Sequence, residues 1–235
     1  AFQINEFGID KLALVELADP EPQANEVVVR FDAWSLNYRD VMVVEGRYNP
    51  RMKMPATPLS DGAGEIVAVG ESVTKWKVGD KVMPIMVQRW FEGEPDAETS
   101  RTAIGAGATW DGILRERAAF DENSVIAVPK YLSQSEAATL PCAAVTAWNA
   151  LVVSGNVKAG DTVLTLGTGG VSVFAVQFAK MLGAKVISTS SSDEKLEKLR
   201  GLGADETINY KTREDWDRAV LEMTDKRGVD HVVEV

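Results

Sequence analysis

The stretch Leu164-Thr165-Leu166-Gly167-Thr168-Gly169-Gly170-Val171-Ser172 constrains the fold more than any other part of the chain. A buried-strand pattern, Asp161 to Leu166, leads into it, and a helical stretch from Val171 to Leu182, closed by Gly183, leads out. Between a strand and a helix, each glycine has its own task. Gly167 permits the tight turn, and Gly169, after Thr168, lets the backbone come close to a pyrophosphate. Amides at the helix start, near Gly170 and Val171, then face phosphate charge. Ser172 stands where such a turn usually has its third glycine, and it is small enough to keep the helix near the strand. The other reading is a glycine-rich turn with no ligand.

The pattern continues with a strand at Lys185–Thr189, a helix from Asp193 to Leu202 and a short strand at Glu206–Asn209. A helix over Arg213–Thr224 and a strand at Val229–Val235 follow. Strands alternating with helices of this length imply right-handed crossovers and a parallel sheet. Upstream, Ser133 to Ser154 reads as helical, with Ser133 or Ser135 as cap and a kink at Pro141. A full dinucleotide-binding sheet has about six strands, and the chain supplies roughly the first half and the start of the second. An open, Val-rich edge is a poor place to stop, so the chain is expected to be a fragment.

Before residue 130 the character differs. Glu26–Phe31, Gly64–Gly70 and Asp80–Ile85 are short β-branched runs between Gly, Pro and Asp turns, the pattern of a mainly β domain. Trp90 to Gly112 reads as a long surface loop with room for a functional lid. The expected fold class is therefore α/β, with a β-rich domain over 1–128 and an incomplete parallel-sheet domain over 129–235.

The second strand of the parallel sheet bears on the ligand. Sites for NAD usually place Asp or Glu there, about 20 residues beyond the first glycine, to take the ribose hydroxyls. Here that position falls at Ser190, followed by Ser191 and Ser192. Hydroxyls can donate to a 2′-phosphate that a carboxylate would repel, and Lys195 lies one turn further on. The expectation is NADPH rather than NADH. Asp193 and Glu194 read as favourable charge at a helix N-terminus, although one of them could instead hold a ribose.

Charge narrows the partners. The chain has 25 Lys and Arg against 35 Asp and Glu, a net charge of -10. Nucleic acid and anionic membrane are not expected partners, because both need clustered basic residues. No apolar run approaches the ~18 residues of a membrane span, and the N-terminus lacks a signal-peptide pattern. A single cysteine, Cys142, fits a reducing compartment, so the expected location is the cytoplasm.

Several segments together resemble the medium-chain dehydrogenase/reductase superfamily, and in particular its zinc-free quinone oxidoreductase-like members. Asp161–Tyr210 and Ser133–Pro141 resemble the cofactor half of those enzymes, and Ser60–Gly70 and Trp76–Val82 resemble their first domain. The resemblance implies a GroES-like, partly open barrel before a Rossmann-type sheet, with the active site in the cleft between them and a homodimer at full length. Zinc-dependent members hold their metal with Cys, His and Cys. By resemblance those positions are Asn37, Ser60 and Cys142, so no zinc is expected, since a catalytic site needs three protein ligands. Cys142 then reads as a small buried apolar residue and His231, the chain's one histidine, as structural.

By the same resemblance, Ser35–Asp40 is the active-site loop and Gly46-Arg47-Tyr48 lies near it. Asn37 and Tyr48 are the candidate donors to a small-molecule substrate, Arg39 a candidate charge and Asp40 a candidate orienting group. Thr146 and Tyr210 are candidate cofactor contacts. Each residue also has a bland reading: Asn37 as a turn former, Tyr48 as a rim aromatic, Arg39 and Asp40 as a surface ion pair, Thr146 as helix packing. Trp34, Trp90, Phe91 and Trp110 either line an apolar substrate cleft or belong to the core. The expected function is NADPH-dependent reduction of a quinone or α,β-unsaturated carbonyl. The alternatives are a zinc-free alcohol dehydrogenase or aldehyde reductase, and a nucleotide-binding protein without turnover.

Overall fold

The chain folds as two units, Ala1–Cys142 and Ala143–Val235, in a computed structural model that describes residues 1–106 and 110–235. In the first unit, β1 (Phe2–Gln3) and β2 (Ala13–Leu14) form a short antiparallel pair. The main sheet comprises β3 (Glu26–Ser35), β4 (Asp61–Val69), β5 (Lys81–Pro84), β6 (Arg117–Asp121) and β7 (Val125–Ala127), in the order β6-β3-β4-β5-β7. All its pairs are antiparallel, and it curls as an open half-barrel. Register shifts between β3 and β4, at Val28/Val29 and Phe31/Ala33, are irregularities of the kind that bend a strand. Val27, Val29, Phe31, Ile66, Val82 and Phe120 fill its core.

Helix α1 (Tyr38–Val44) follows β3 directly, with Asn37 at its N-cap, so the expected active-site loop is a strand-to-helix junction. The Trp90–Gly112 stretch departs from the expected surface loop. It carries a short helix, α2 (Ala97–Ser100), capped by Asp96. Beyond it, Thr102, Ala103, Ile104 and Ala106 are buried, and Ala103 bridges Val87. Ile104 belongs to the half-barrel core, which draws the neighbouring small residues inward. Residues 107–109 of this stretch lie outside the described residues.

Ser133 caps α3 (Gln134–Ala137), its amide donating to the Glu136 carboxylate at 2.8 Å. The helical path then widens over Leu140–Ala144, tightens in α4 (Val145–Trp148) and widens again over Asn149–Ser154. Pro141 sits in the first wide turn. Having no N–H, it cannot complete an α-helical bond there, and the path widens where a kink was expected.

The second unit is a parallel sheet, β8 (Thr162–Leu166), β9 (Lys185–Ser190), β10 (Glu206–Asn209) and β11 (His231–Val233), in the order β10-β9-β8-β11. Its helices are α5 (Gly170–Met181), α6 (Asp193–Gly201) and α7 (Trp216–Met223). Val163 and Val186 pack with Ala175, Val176 and Leu196, whereas Leu164 and Ile187 pack with Ala219 and Val220. Alternate residues of one strand therefore enter two different cores, which is why these strands read as continuous apolar runs. His231 Nε2 lies 3.1 Å from Asp161 Oδ2, tying the start of β11 to the entrance of β8. Among the described residues no helix is long and apolar enough to cross a membrane.

Candidate active site

The glycine turn between β8 and α5 has the geometry its residues imply. Gly167 adopts φ 81, and its amide donates to the Thr189 carbonyl at 3.1 Å, fixing the turn to β9. Gly169 is the N-cap of α5, in an extended conformation, and both it and Gly170 are exposed. A Cβ on Gly169 would meet no heavy atom within 4 Å, so there is open space beside the first amides of a twelve-residue helix. Ser172 is buried and its hydroxyl donates to the Leu166 carbonyl at 3.0 Å. That bond, together with its small volume, accounts for serine in place of a third glycine.

The end of β9 carries no acid. Ser190 is buried, its Oγ accepting from the Ser192 amide at 3.3 Å, and Ser192 caps α6. Asp193 accepts from Asn209 Nδ2 at 2.8 Å and Glu194 pairs with Lys198. Lys195 is exposed, on the first turn of α6. Tyr210 is 40% exposed and its amide donates to the Ser190 carbonyl, whereas Thr146 is an exposed residue of α4.

In the first unit, five of the positions singled out by resemblance, Asn37, Arg39, Asp40, Ser60 and Cys142, form one polar cluster. The Asn37 amide Nδ2 donates to Asp61 Oδ2 at 2.8 Å, and the Ser60 hydroxyl donates to Asp61 Oδ1 at 2.9 Å. Arg39 donates to Ser60 Oγ, and its Nη1 lies 3.2 Å from Met86 Sδ and 3.6 Å from Cys142 Sγ. Asp40 accepts from the Asn37 backbone amide at 2.7 Å, which holds the strand-to-helix junction. Ser60 and Asp61 are fully buried. The surface ion pair between Arg39 and Asp40 is not observed, because Asp40 is buried and Arg39 points its guanidinium at sulfur and hydroxyl. Tyr48 is 47% exposed. Arg47 stacks on Tyr38 instead, 5.8 Å from the ring centroid.

Trp34 donates its indole N–H to the Ile113 carbonyl and packs on Phe31. Phe91 and Trp110 border a cavity of about 620 Å³ with Gln88, Arg89 and Glu26, and none of Asn37, Arg39 or Tyr48 lines it. These aromatics therefore do not form one wall with the polar cluster. Trp90, 44% exposed, donates to the Gly93 carbonyl.

Asp61, inside the Ser60–Gly70 segment and not among the candidate residues, is the acceptor that organises the cluster. An acid opening a strand directly before the small residues Gly62, Ala63 and Gly64 is the signal that could have marked it. Burial pushes its carboxyl above the ordinary value, against the bonds from Asn37 and Ser60, the Arg39 charge and the Cys142 amide. Asp40 is raised for the same first reason. A carboxyl raised in the folded state contributes stability that is fully present below about 3.8, its unfolded value, and is lost as pH rises through the folded value. Asp61→Asn removes that proton linkage. Denaturant unfolding at about pH 4 and pH 8 should show the variant gaining on the wild type as pH rises, and a pH-independent difference would contradict the assignment.

Residues 23–130 match the family model described as alcohol dehydrogenase GroES-like domain, and residues 170–235 match the one described as zinc-binding dehydrogenase. A crystal structure from Sinorhizobium meliloti 1021, named for an alcohol dehydrogenase, superposes with a TM-score of 0.91 at 41% identity, covering 99% of this chain and 68% of that one. The chain belongs to the medium-chain dehydrogenase/reductase superfamily. Within that superfamily it is 46% identical over 231 residues to a zinc-type alcohol dehydrogenase-like protein of Schizosaccharomyces pombe, covering 97% of this chain and 66% of the relative. The quinone oxidoreductase of Escherichia coli, solved with NADPH, superposes with a TM-score of 0.80 at 25% identity over 97% of this chain and 63% of that one. The chain thus spans about two thirds of the length of the superfamily members it matches.

Zinc, which one family description implies, does not fit the donors present. Ser60 accepts from a guanidinium, and the Asn37 amide nitrogen donates to Asp61. Burial raises the Cys142 thiol above its ordinary value, and its sulfur lies 3.6 Å from the Arg39 guanidinium. Among the described residues no three His, Cys, Asp or Glu side chains lie together as a metal set.

Proposed function

We propose that the full-length protein is an NADPH-dependent oxidoreductase that reduces a quinone or an α,β-unsaturated carbonyl. The observation that carries this reading is the acid-free end of β9 beside an open glycine turn at the start of α5. The pyrophosphate would rest on the amides of Gly169, Gly170 and Val171, where the helix dipole favours an anion. Thr168 would border it. Ser190, Ser191, Ser192 and Lys195 would receive the adenosine end, and Tyr210 and Thr146 would flank the cofactor.

When bound, NADPH supplies the hydride; the chain binds, orients and stabilises charge. Reduction of a conjugated carbonyl leaves negative charge on oxygen. The Tyr48 hydroxyl and the second N–H of Asn37 are the donors for that oxygen, each able to lower a barrier by about 3 kcal/mol when aligned. Asp61 orients Asn37 by taking its other N–H. Asp40 fixes the same residue by its backbone. The names of the E. coli and S. pombe proteins, a quinone oxidoreductase and an alcohol dehydrogenase-like protein, bracket the chemistry.

The test is a titration of the full-length protein with NADPH and NADH, followed by turnover on quinones, enones and short aldehydes. Lys195→Glu should weaken NADPH by about 30-fold, since it exchanges an attraction for a repulsion at the 2′-phosphate, and leave NADH within about threefold. Equal weakening of both would remove the preference for NADPH. Binding without turnover on any acceptor would favour a nucleotide-binding protein instead.

A further inference from the structure

We propose that Arg39 is a permanent cation standing where zinc-type members of this superfamily use a metal, and that its guanidinium stabilises the oxyanion of the reduced acceptor. The inference rests on the hydride-transfer reading above and names the group that supplies the charge.

The guanidinium makes its contacts with Ser60 Oγ, Cys142 Sγ and Met86 Sδ. Two of these belong to the positions that resemble metal ligands, and the third such position, Asn37, joins them through Asp61. The charge therefore sits at the junction of all three. Arginine carries five N–H donors, no acceptor, and does not lose its proton in proteins. Its charge is as constant as that of an ion and cannot dissociate or be chelated.

The pairing is unlike that of a structural arginine. Its hydrogen-bond partners are a hydroxyl, a thiol and a thioether. Among the described residues Arg39 makes no ion pair with a carboxylate. Its Nε is buried with no partner at all. A partly buried cation with neutral partners is a poor device for stability, and it retains its field for an incoming anion.

Such a cation also selects the chemistry. In reduction of an enone, hydride adds to the β-carbon, the C=C pair shifts to join the α-carbon to the carbonyl carbon, the C=O π pair moves to oxygen, and a proton from water then completes the α-carbon, with NADP⁺ as the oxidised product. Guanidinium N–H groups stabilise that enolate oxygen by charge and hydrogen bonding. They offer no vacant orbital, so they cannot acidify a bound alcohol in the way a metal acidifies bound water. Quinones and enones are the fitting hydride acceptors, and simple alcohols are not fitting hydride donors.

The experiment uses the full-length protein, with Arg39→Met and Arg39→Lys. Arg39→Met should lose about 100-fold in kcat on an enone while its affinity for NADPH, read by fluorescence titration, stays within about threefold. Arg39→Lys should recover at least about tenfold of that loss, which a purely structural role would not predict. A kcat for Arg39→Met within about threefold of wild type would overturn the proposal and leave the reductase reading intact. Wild type that binds NADPH but turns over no acceptor would overturn both. Should Arg39→Met fail to fold, cobalt(II) titration of the wild type decides. Unchanged turnover after chelation and no sulfur-to-cobalt absorption support the proposal, and a Cys142–cobalt band would sink it.

Discussion

Replacing Gly169 with Asp is expected to abolish dinucleotide binding while making the chain slightly more stable. Gly169 is the N-cap of α5, at φ -72 and ψ 174, a conformation that aspartate adopts without strain. A Cβ there meets nothing within 4 Å, so the substitution costs no packing. Aspartate is among the best N-cap residues, and its carboxylate would accept from the same free amides and complement the helix dipole. Together with the reduced freedom of the unfolded chain, this should add about 0.5–1 kcal/mol. Those amides are also where the pyrophosphate is expected to rest, so the new carboxylate occupies their hydrogen bonds and repels the phosphates. The affinity for NADPH should fall by at least about 100-fold, equivalent to roughly 2.7 kcal/mol. A thermal melt and a fluorescence titration on the same preparation measure both signs. If the affinity held within about tenfold, the phosphates would have to bind elsewhere.

Much of the second unit was legible because each of its residues serves local and global structure alike. The glycine turn, the alternation of strand and helix and the missing acid after Thr189 are features of contiguous sequence, and the geometry places them as the residues imply. The departures there are small, such as α7 beginning at Trp216 rather than near Arg213. Of the first-unit cluster, residue types and positions could be read, but not their bonds. Asn37, Arg39, Ser60 and Cys142 lie far apart in the chain, so the partner each would choose is set by β3, β4 and the path after Pro141. Arg39 illustrates the limit. Four residues from Ser35, beside an aspartate, it reads as well for a surface ion pair as for an internal cation, and only the fold turns it toward Ser60, Met86 and Cys142.

The Trp90–Gly112 stretch is exposed as far as Arg101, except for half-buried Thr99, and its later part departs from a surface loop for a different physical reason. Its glycines and short polar residues are those of an exposed loop, but some are small because another backbone lies against them. Gly112 donates to the Thr57 carbonyl at 2.7 Å, and Ile113 donates to the Leu59 carbonyl at 2.9 Å. The segment is thus laid along 57–59, immediately before Ser60 and Asp61. Leu59 itself is held at φ 75, a left-handed conformation that a branched residue adopts only when its surroundings enforce it.

Gly112→Ala should therefore damage the polar cluster although the residue takes no part in it. A Cβ at this position would lie 2.2 Å from the Pro58 carbonyl oxygen and 2.4 Å from that of Leu59, both backbone atoms with no side chain to rotate away. Relief requires the 57–59 segment to move, and Ser60 and Asp61 move with it. The expected cost is about 3 kcal/mol of stability in the first unit, together with a loss of up to about 100-fold in turnover from misplaced donors. NADPH affinity should be unchanged, since the glycine turn belongs to the other unit. Gly79→Ala is the control. Gly79 adopts φ 94 with nothing within 4 Å of the added carbon, so only backbone strain of about 1–2 kcal/mol is expected, with normal turnover. Urea unfolding and steady-state kinetics of the two variants separate close approach from left-handed backbone. Equal turnover in both would mean that residues 57–59 do not position Ser60 and Asp61.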